Sequence, residues 1–228
     1  MMQYSTLSLC SNILKREKSM TQNQYTKTAI ILHWLIGIAI LAMFALGWFM
    51  ADIPKDQPKS TAFDLFDLGI YTWNLASEVT PRTFYLNLHK SVGITILALV
   101  AFRMFWRITH RPPALLDSMS ATEKKLATGG HHLLYLLMFA LPITGLVMAI
   151  NSKFEYGVKW FGISLMNGLD NKAVRESFVE VHEVVGIIML VVIGVHVLGA
   201  LKHKFIDKDG TMKRMSLCGL CCKGSCKK

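Results

Sequence analysis

Four blocks of the chain, at about residues 29–51, 88–108, 131–150 and 181–201, are nearly free of charge. Each is as long as an α-helix must be to cross a hydrocarbon core of about 30 Å. Lipid leaves an unpaired backbone N–H or C=O unsolvated, so each block must close its own hydrogen bonds as a helix. The pattern predicts an all-α fold, a transmembrane four-helix bundle over residues 25–215 with no separate soluble domain. Pro142 falls inside the third block. Neighbouring helices can re-satisfy the carbonyl that proline frees, so a kink is expected there and not a break.

Composition agrees with the pattern. The 228 residues are 52% hydrophobic and 18% charged, against about 25% charged in an ordinary soluble domain. Intrinsic disorder and a simple soluble fold are both excluded. The net charge of +10 is explained by where the basic residues lie. Residues 1–28, 103–125 and those from 202 onward together carry +12, the connections 52–88 and 151–183 together carry −3, and Lys90 completes the total. On the positive-inside rule both termini face the cytoplasm and the two long connections face outward. The charge is then a topology signal against an anionic leaflet, with membrane lipids as its partner and no nucleic acid implied.

The ends lie outside the bundle. Lys15, Arg16 and Lys18 imitate the basic start of a signal peptide, but the apolar stretch that follows is too long and no small-residue cleavage site succeeds it, so the first span is expected to be retained. Met20 opens a second sensible start, MTQNQYTKTAI, and residues 1–19 read as an upstream extension or an alternative start. Residues 1–24 are expected to form a disordered cytoplasmic extension. All five cysteines are terminal: Cys10, then Cys218, Cys221, Cys222 and Cys226. A reducing cytoplasm argues against disulfides, and the C-x2-C-C-x3-C run lacks the second spaced pair of a metal site, so 216–228 reads as an exposed Cys/Lys-rich tail. No C-x-x-C-H occurs, which excludes covalent c-type haem.

Chemistry must come from the eight histidines, several of which lie in or at the ends of the spans. Histidine inside a membrane is costly and usually functional. His182 and His196 are 14 residues apart on the fourth span. At 100° and 1.5 Å per residue they share a face about 21 Å apart, one near each membrane surface. The outer level also holds His89, and the inner level His33 and His131. His33 and His196 each lie about a turn from a cytoplasmic helix end, so the simplest assignment is two bis-histidine pairs, His89 with His182 and His33 with His196. Haem b is the cofactor that takes such axial pairs inside an apolar bundle.

Glycines support this choice. Gly37, Gly93 and Gly186 each follow a proposed ligand by four residues, on the same helix face, where a larger side chain would collide with a flat macrocycle. His131 instead has Tyr135 at that offset. Arg103 lies 14 residues after His89, on the ligand face at the inner level, where a propionate fork and snorkelling to anionic lipid are both open to it. Trp34 and Trp106 read as interfacial anchors. His110 and His132 read as interface residues, while His131 and His203 are candidate contacts for a quinone headgroup or a propionate.

The stretches HWLIG, LHKSVGI followed by Arg103 and Trp106-Arg107, GHHLLYLLMFALPITG and HVLGALKHKFIDKDGTMKRM together resemble the bacterial cytochrome b561 family. Its members are four-helix di-haem membrane cytochromes related to the cytochrome b subunits of nickel-iron hydrogenases. The likeness covers about residues 25–215; the connection 52–87 is longer than in the shortest relatives. The resemblance implies a bacterial inner-membrane, multi-pass protein holding two non-covalent b haems through His33, His89, His182 and His196, with quinone as the redox partner. The expected function is electron transfer between the quinone pool and an unidentified donor or acceptor at the outer face, as in respiratory electron transport. Alternatives are a superoxide:quinone oxidoreductase, which would make the bundle an enzyme, and a cytochrome b subunit anchoring a dehydrogenase or hydrogenase. A more distant one is a histidine-based metal or proton transporter, which expects carboxylates in mid-span where none occurs.

Overall fold

The computed structural model describes residues 24–216. The predicted extension and cysteine-rich tail, apart from Gln24 and Ser216, lie outside the described residues. Among the described residues, four helices are long and apolar enough to cross a membrane: α1 (Lys27–Asp52), α2 (Pro81–Thr109), α3 (Ala121–Ile150) and α4 (Lys172–Lys202). Large apolar side chains such as Ile38, Phe105, Leu136, Val195 and Leu198 remain exposed. An aqueous surface does not carry so many, whereas lipid solvates them.

Three helices begin 7 to 10 residues before their apolar blocks, and each start is fixed by a polar cap. Pro81 opens α2 after Thr80, whose hydroxyl accepts from the Thr83 N–H at 3.3 Å. Ser120 and Glu123 bond reciprocally before α3, at 2.8 Å and 3.2 Å. Asn171 Oδ1 accepts from the Val174 N–H at 3.2 Å before α4. Such caps satisfy orphan N–H groups and stabilise a helix by about 1 kcal/mol each. α3 runs unbroken through Pro142. α4 ends in a π-helical turn, His203–Asp207, followed by a 3₁₀ turn, Thr211–Met215.

The chain divides into two compact units. The terminal unit comprises the described chain up to Trp34, Phe102–Leu134, and the chain from Val191 onward. Side-chain bonds bind its segments. The Trp34 indole donates to the Met215 carbonyl at 2.8 Å, Trp106 donates to Thr26 Oγ1 at 2.9 Å, and Arg214 donates to the Ala114 carbonyl at 2.6 Å. Lys202 bridges Glu123 and Asp207, at 2.5 Å and 2.8 Å.

The hairpin unit comprises Leu35–Ala101 and Tyr135–Leu190. Both long connections fold as antiparallel hairpins here, β1 (Ser60–Asp64) with β2 (Thr72–Val79) and β3 (Val158–Trp160) with β4 (Ile163–Met166). Phe63 of β1 stacks on Phe84 of α2, with ring centroids 4.5 Å apart, in a core shared with Leu46 and Tyr85. Arg82 donates to the Ala51 and Ile53 carbonyls at 3.1 Å and 2.9 Å, satisfying acceptors that the end of α1 leaves open. The second hairpin turns through Phe161 and Gly162, both at positive φ, as a two-residue hairpin loop requires. It docks on α2 through buried Ser91, whose hydroxyl accepts from the Phe161 N–H at 2.9 Å, and through Lys90, which donates to the Tyr156 and Gly157 carbonyls.

Candidate functional site

The hairpin unit contains two histidines, and the structure brings them together. His89 of α2 and His182 of α4 have ring centroids 6.4 Å apart with planes at 72°. The His182 Nδ1 atom lies 2.9 Å from the Thr144 hydroxyl, which itself donates to the Leu141 carbonyl at 2.7 Å. With its proton directed at that carbonyl, the hydroxyl accepts from the imidazole, so Nδ1 carries the hydrogen and Nε2 presents a bare lone pair. His89 Nδ1 is buried with no hydrogen-bond partner among the described residues. Both rings lie against glycine. A methyl group on Gly47 would stand 3.7 Å from His89 Cε1, and one on Gly145 would stand 3.1 Å from His182 Cε1. The glycines one turn beyond the histidines are more crowded than the sequence implies, since Gly93 faces Met43 and Gly186 faces Phe44 and Leu141, at 3.6–3.8 Å from a built methyl.

The terminal unit gathers three imidazoles. His33 of α1 and His196 of α4 have centroids 6.1 Å apart with planes at 76°. His131 of α3 stands 5.6 Å from His196. Arg103 of α2 donates to the Ala29 carbonyl at 3.2 Å and brings a second guanidinium nitrogen to 3.5 Å from His33 Nδ1. Its charge thus lies beside a candidate ligand. Gly37, which follows His33 by four residues but falls within the hairpin unit, has open space where a methyl group would stand. His203 is engaged elsewhere, with Nδ1 at 2.7 Å from Asp209 and 3.0 Å from Asp207. Burial alone would raise the Asp209 carboxyl, yet the Thr211 N–H and His203 bonds hold it below its ordinary pKa. His203, Asp207 and Asp209 present ligand atoms within 4.8 Å of one another, but the Lys202 ammonium already sits on Asp207. His110 stacks on Trp106 at 3.9 Å and His132 is exposed; neither is brought to the three imidazoles.

The spacing of the pairs is the test of fit. Two metal–nitrogen bonds of about 2 Å, with about 1 Å from each nitrogen to its ring centre, put bridged imidazole centroids about 6 Å apart. The separations of 6.1 Å and 6.4 Å would suit one iron held between each pair. Thr144, Gly145 and Gly47 are site residues that sequence reasoning missed. The first two were signalled by a Thr-Gly step just after the helix proline, and Gly47 by nothing local.

Paired imidazoles among four membrane-spanning helices define a class, the helical membrane cytochrome. The chain matches the family described as prokaryotic cytochrome b561 over residues 24–216, and it belongs to that family. It is 32% identical over 197 residues to cytochrome b561 homolog 2 of Escherichia coli (strain K12), covering 86% of this chain and 92% of that protein. Cytochrome b561 homolog 1 of the same organism is 27% identical over 197 residues, covering 85% and 97%. A probable superoxide oxidase, CybB, of Yersinia pestis is 25% identical over 195 residues, covering 84% and 95%. The protein is accordingly a multi-pass membrane cytochrome of a b-type haem family.

Proposed function

We propose that the protein holds two b haems, one through His89 and His182 and one through His33 and His196, and carries electrons across the bacterial inner membrane between the quinone pool and a redox partner at the outer face. The observation that carries this reading is the pair of near-equal centroid separations, 6.4 Å and 6.1 Å, with one pair in each unit. When bound, haem b supplies one-electron chemistry within an apolar protein interior. The chain's own part is to hold the imidazoles in pairs, with the Thr144 hydroxyl leaving Nε2 of His182 bare, to exclude water and to set charge around the site. Arg103 places a cation beside His33 and is suited to a propionate. His203, whose Nδ1 faces two carboxylates, is a candidate contact for a quinone headgroup. Positive-inside sorting puts the termini and this quinone contact on the cytoplasmic side.

A second reading makes superoxide the outer electron donor. It is favoured by the name of the Yersinia pestis relative and by Lys159 and Arg175, which lie near enough to Lys90 in the hairpin unit to act on it electrostatically. Clustered cations there would raise the local concentration of a small anion.

The reduced-minus-oxidised visible spectrum of the purified full chain tests the main reading. Two b-type haems per chain are expected, and His182→Ala is expected to leave one. A preparation that binds no haem, or a His182→Ala protein that keeps two, would sink it.

A further inference from the structure

We propose that Thr144 is a positioning residue for His182 and that, through this imidazole, it sets the reduction potential of the haem held in the hairpin unit. The inference rests on the assignment of His182 as an axial ligand.

A neutral imidazole carries its hydrogen on either nitrogen, and only the form with a bare Nε2 can bind iron through that atom. The Thr144 hydroxyl removes the choice. Its hydrogen points at the Leu141 carbonyl 2.7 Å away, so its lone pairs are what face His182 Nδ1 at 2.9 Å. Thr144 is itself buried, where a donor that lost its acceptor would be left unsatisfied. The ring is held from a second side. A methyl group on Gly145 would come to 3.1 Å from Cε1, tighter than nine in ten real contacts, and to an ordinary 3.5 Å from Nδ1, so the ring lies against α3 at the glycine. The segment Leu141–Gly145 is thus a seat that fixes both the tautomer and the plane of His182. The partner ligand has no such seat, since His89 Nδ1 finds no hydrogen-bond partner among the described residues.

The consequence is electronic. A hydrogen bond accepted from Nδ1–H makes the imidazole a stronger donor to the metal through Nε2. Stronger donation favours the ferric state and lowers the potential. Thr144→Val removes this acceptor while keeping the shape of the side chain, and a shift is expected without loss of the haem.

The experiment is a potentiometric titration of purified full-length Thr144→Val, Thr144→Ser, Gly145→Ala and His182→Ala, with electron paramagnetic resonance of the ferric forms. Thr144→Val is expected to keep two haems per chain and to move one midpoint upward by a threefold to tenfold change in its reduction equilibrium, tenfold being about 59 mV for one electron. The other midpoint stays in place, and Thr144→Ser restores the first. Gly145→Ala is expected to alter the resonance of that same haem by turning the ring. An unmoved midpoint in Thr144→Val, or a shift that serine does not reverse, overturns the role of the hydroxyl. Should the valine chain not fold, an unaltered Gly145→Ala resonance overturns the seat on its own. His182→Ala separates the two levels of inference. Two retained haems would defeat the ligand assignment, whereas loss of one beside a silent Thr144→Val defeats only the role of Thr144.

Discussion

On the proposed two-haem reading, the two units meet the same coordination problem with different material. The hairpin unit has two histidines, so its pairing follows from content. It orients one of them with a neutral hydroxyl and, among the described residues, leaves Nδ1 of the other without a hydrogen-bond partner. The terminal unit has six histidines, of which three converge, and sets a guanidinium beside one of them. There neither content nor ring spacing chooses the partner of His196, because His131 stands 5.6 Å from it and His33 6.1 Å. The electrostatic contrast has a direction. A fixed cation disfavours the more positive ferric state, while a hydrogen-bonded imidazole favours it. The haem proposed for the terminal unit is therefore expected to have the higher potential. Electrons would then run downhill from the hairpin side, and two coincident midpoints in a titration would break the comparison.

The largest effects are expected from the ligands. His89→Ala and His182→Ala each halve the haem content measured by pyridine haemochrome and leave the terminal-unit signal intact. In the terminal unit, His33→Ala loses the haem while His131→Ala retains both. The reverse result would reassign the partner of His196. Next in size is Arg103→Gln, which removes the cation and lowers the higher midpoint by an amount on the order of tens of millivolts, with the other unmoved. Smallest is Asp209→Asn. The folded carboxyl has a lowered pKa, so its contribution to stability is present above the ordinary carboxylate value of about 4 and is lost as pH falls through the folded value. The gap in melting temperature between wild type and variant is expected to be full at neutral pH and to close in acid.

Much of this arrangement was legible beforehand, because a membrane solvent simplifies the problem. Hydrocarbon forces helices, and charge-free length reveals them, so all four spans are where the blocks predicted. Their starts were not, since Thr80, Ser120 and Asn171 act through caps that lie outside the apolar runs. The hairpins went unread for a related reason. Their stability comes from Phe63 on Phe84 and from Ser91 beneath Phe161, contacts that no alternation of residues announces. The histidine pairs were legible through helical spacing and matched depth. Thr144 was not, because a hydroxyl after a proline in a membrane helix reads first as a local backbone partner, which it also is.

Among the described residues, the 3₁₀ turn Thr211–Met215 is tied by Trp34 to the Met215 carbonyl and by Arg214 to the Ala114 carbonyl. It therefore acts as a clasp, joining the first helix to the loop before α3 through a few residues near the end of the described chain. This dictates how the protein can be engineered. A reporter fused after Ser216 leaves the clasp closed, whereas truncation before Thr211 opens both ties at once and frees the entrance of the helix that carries His33.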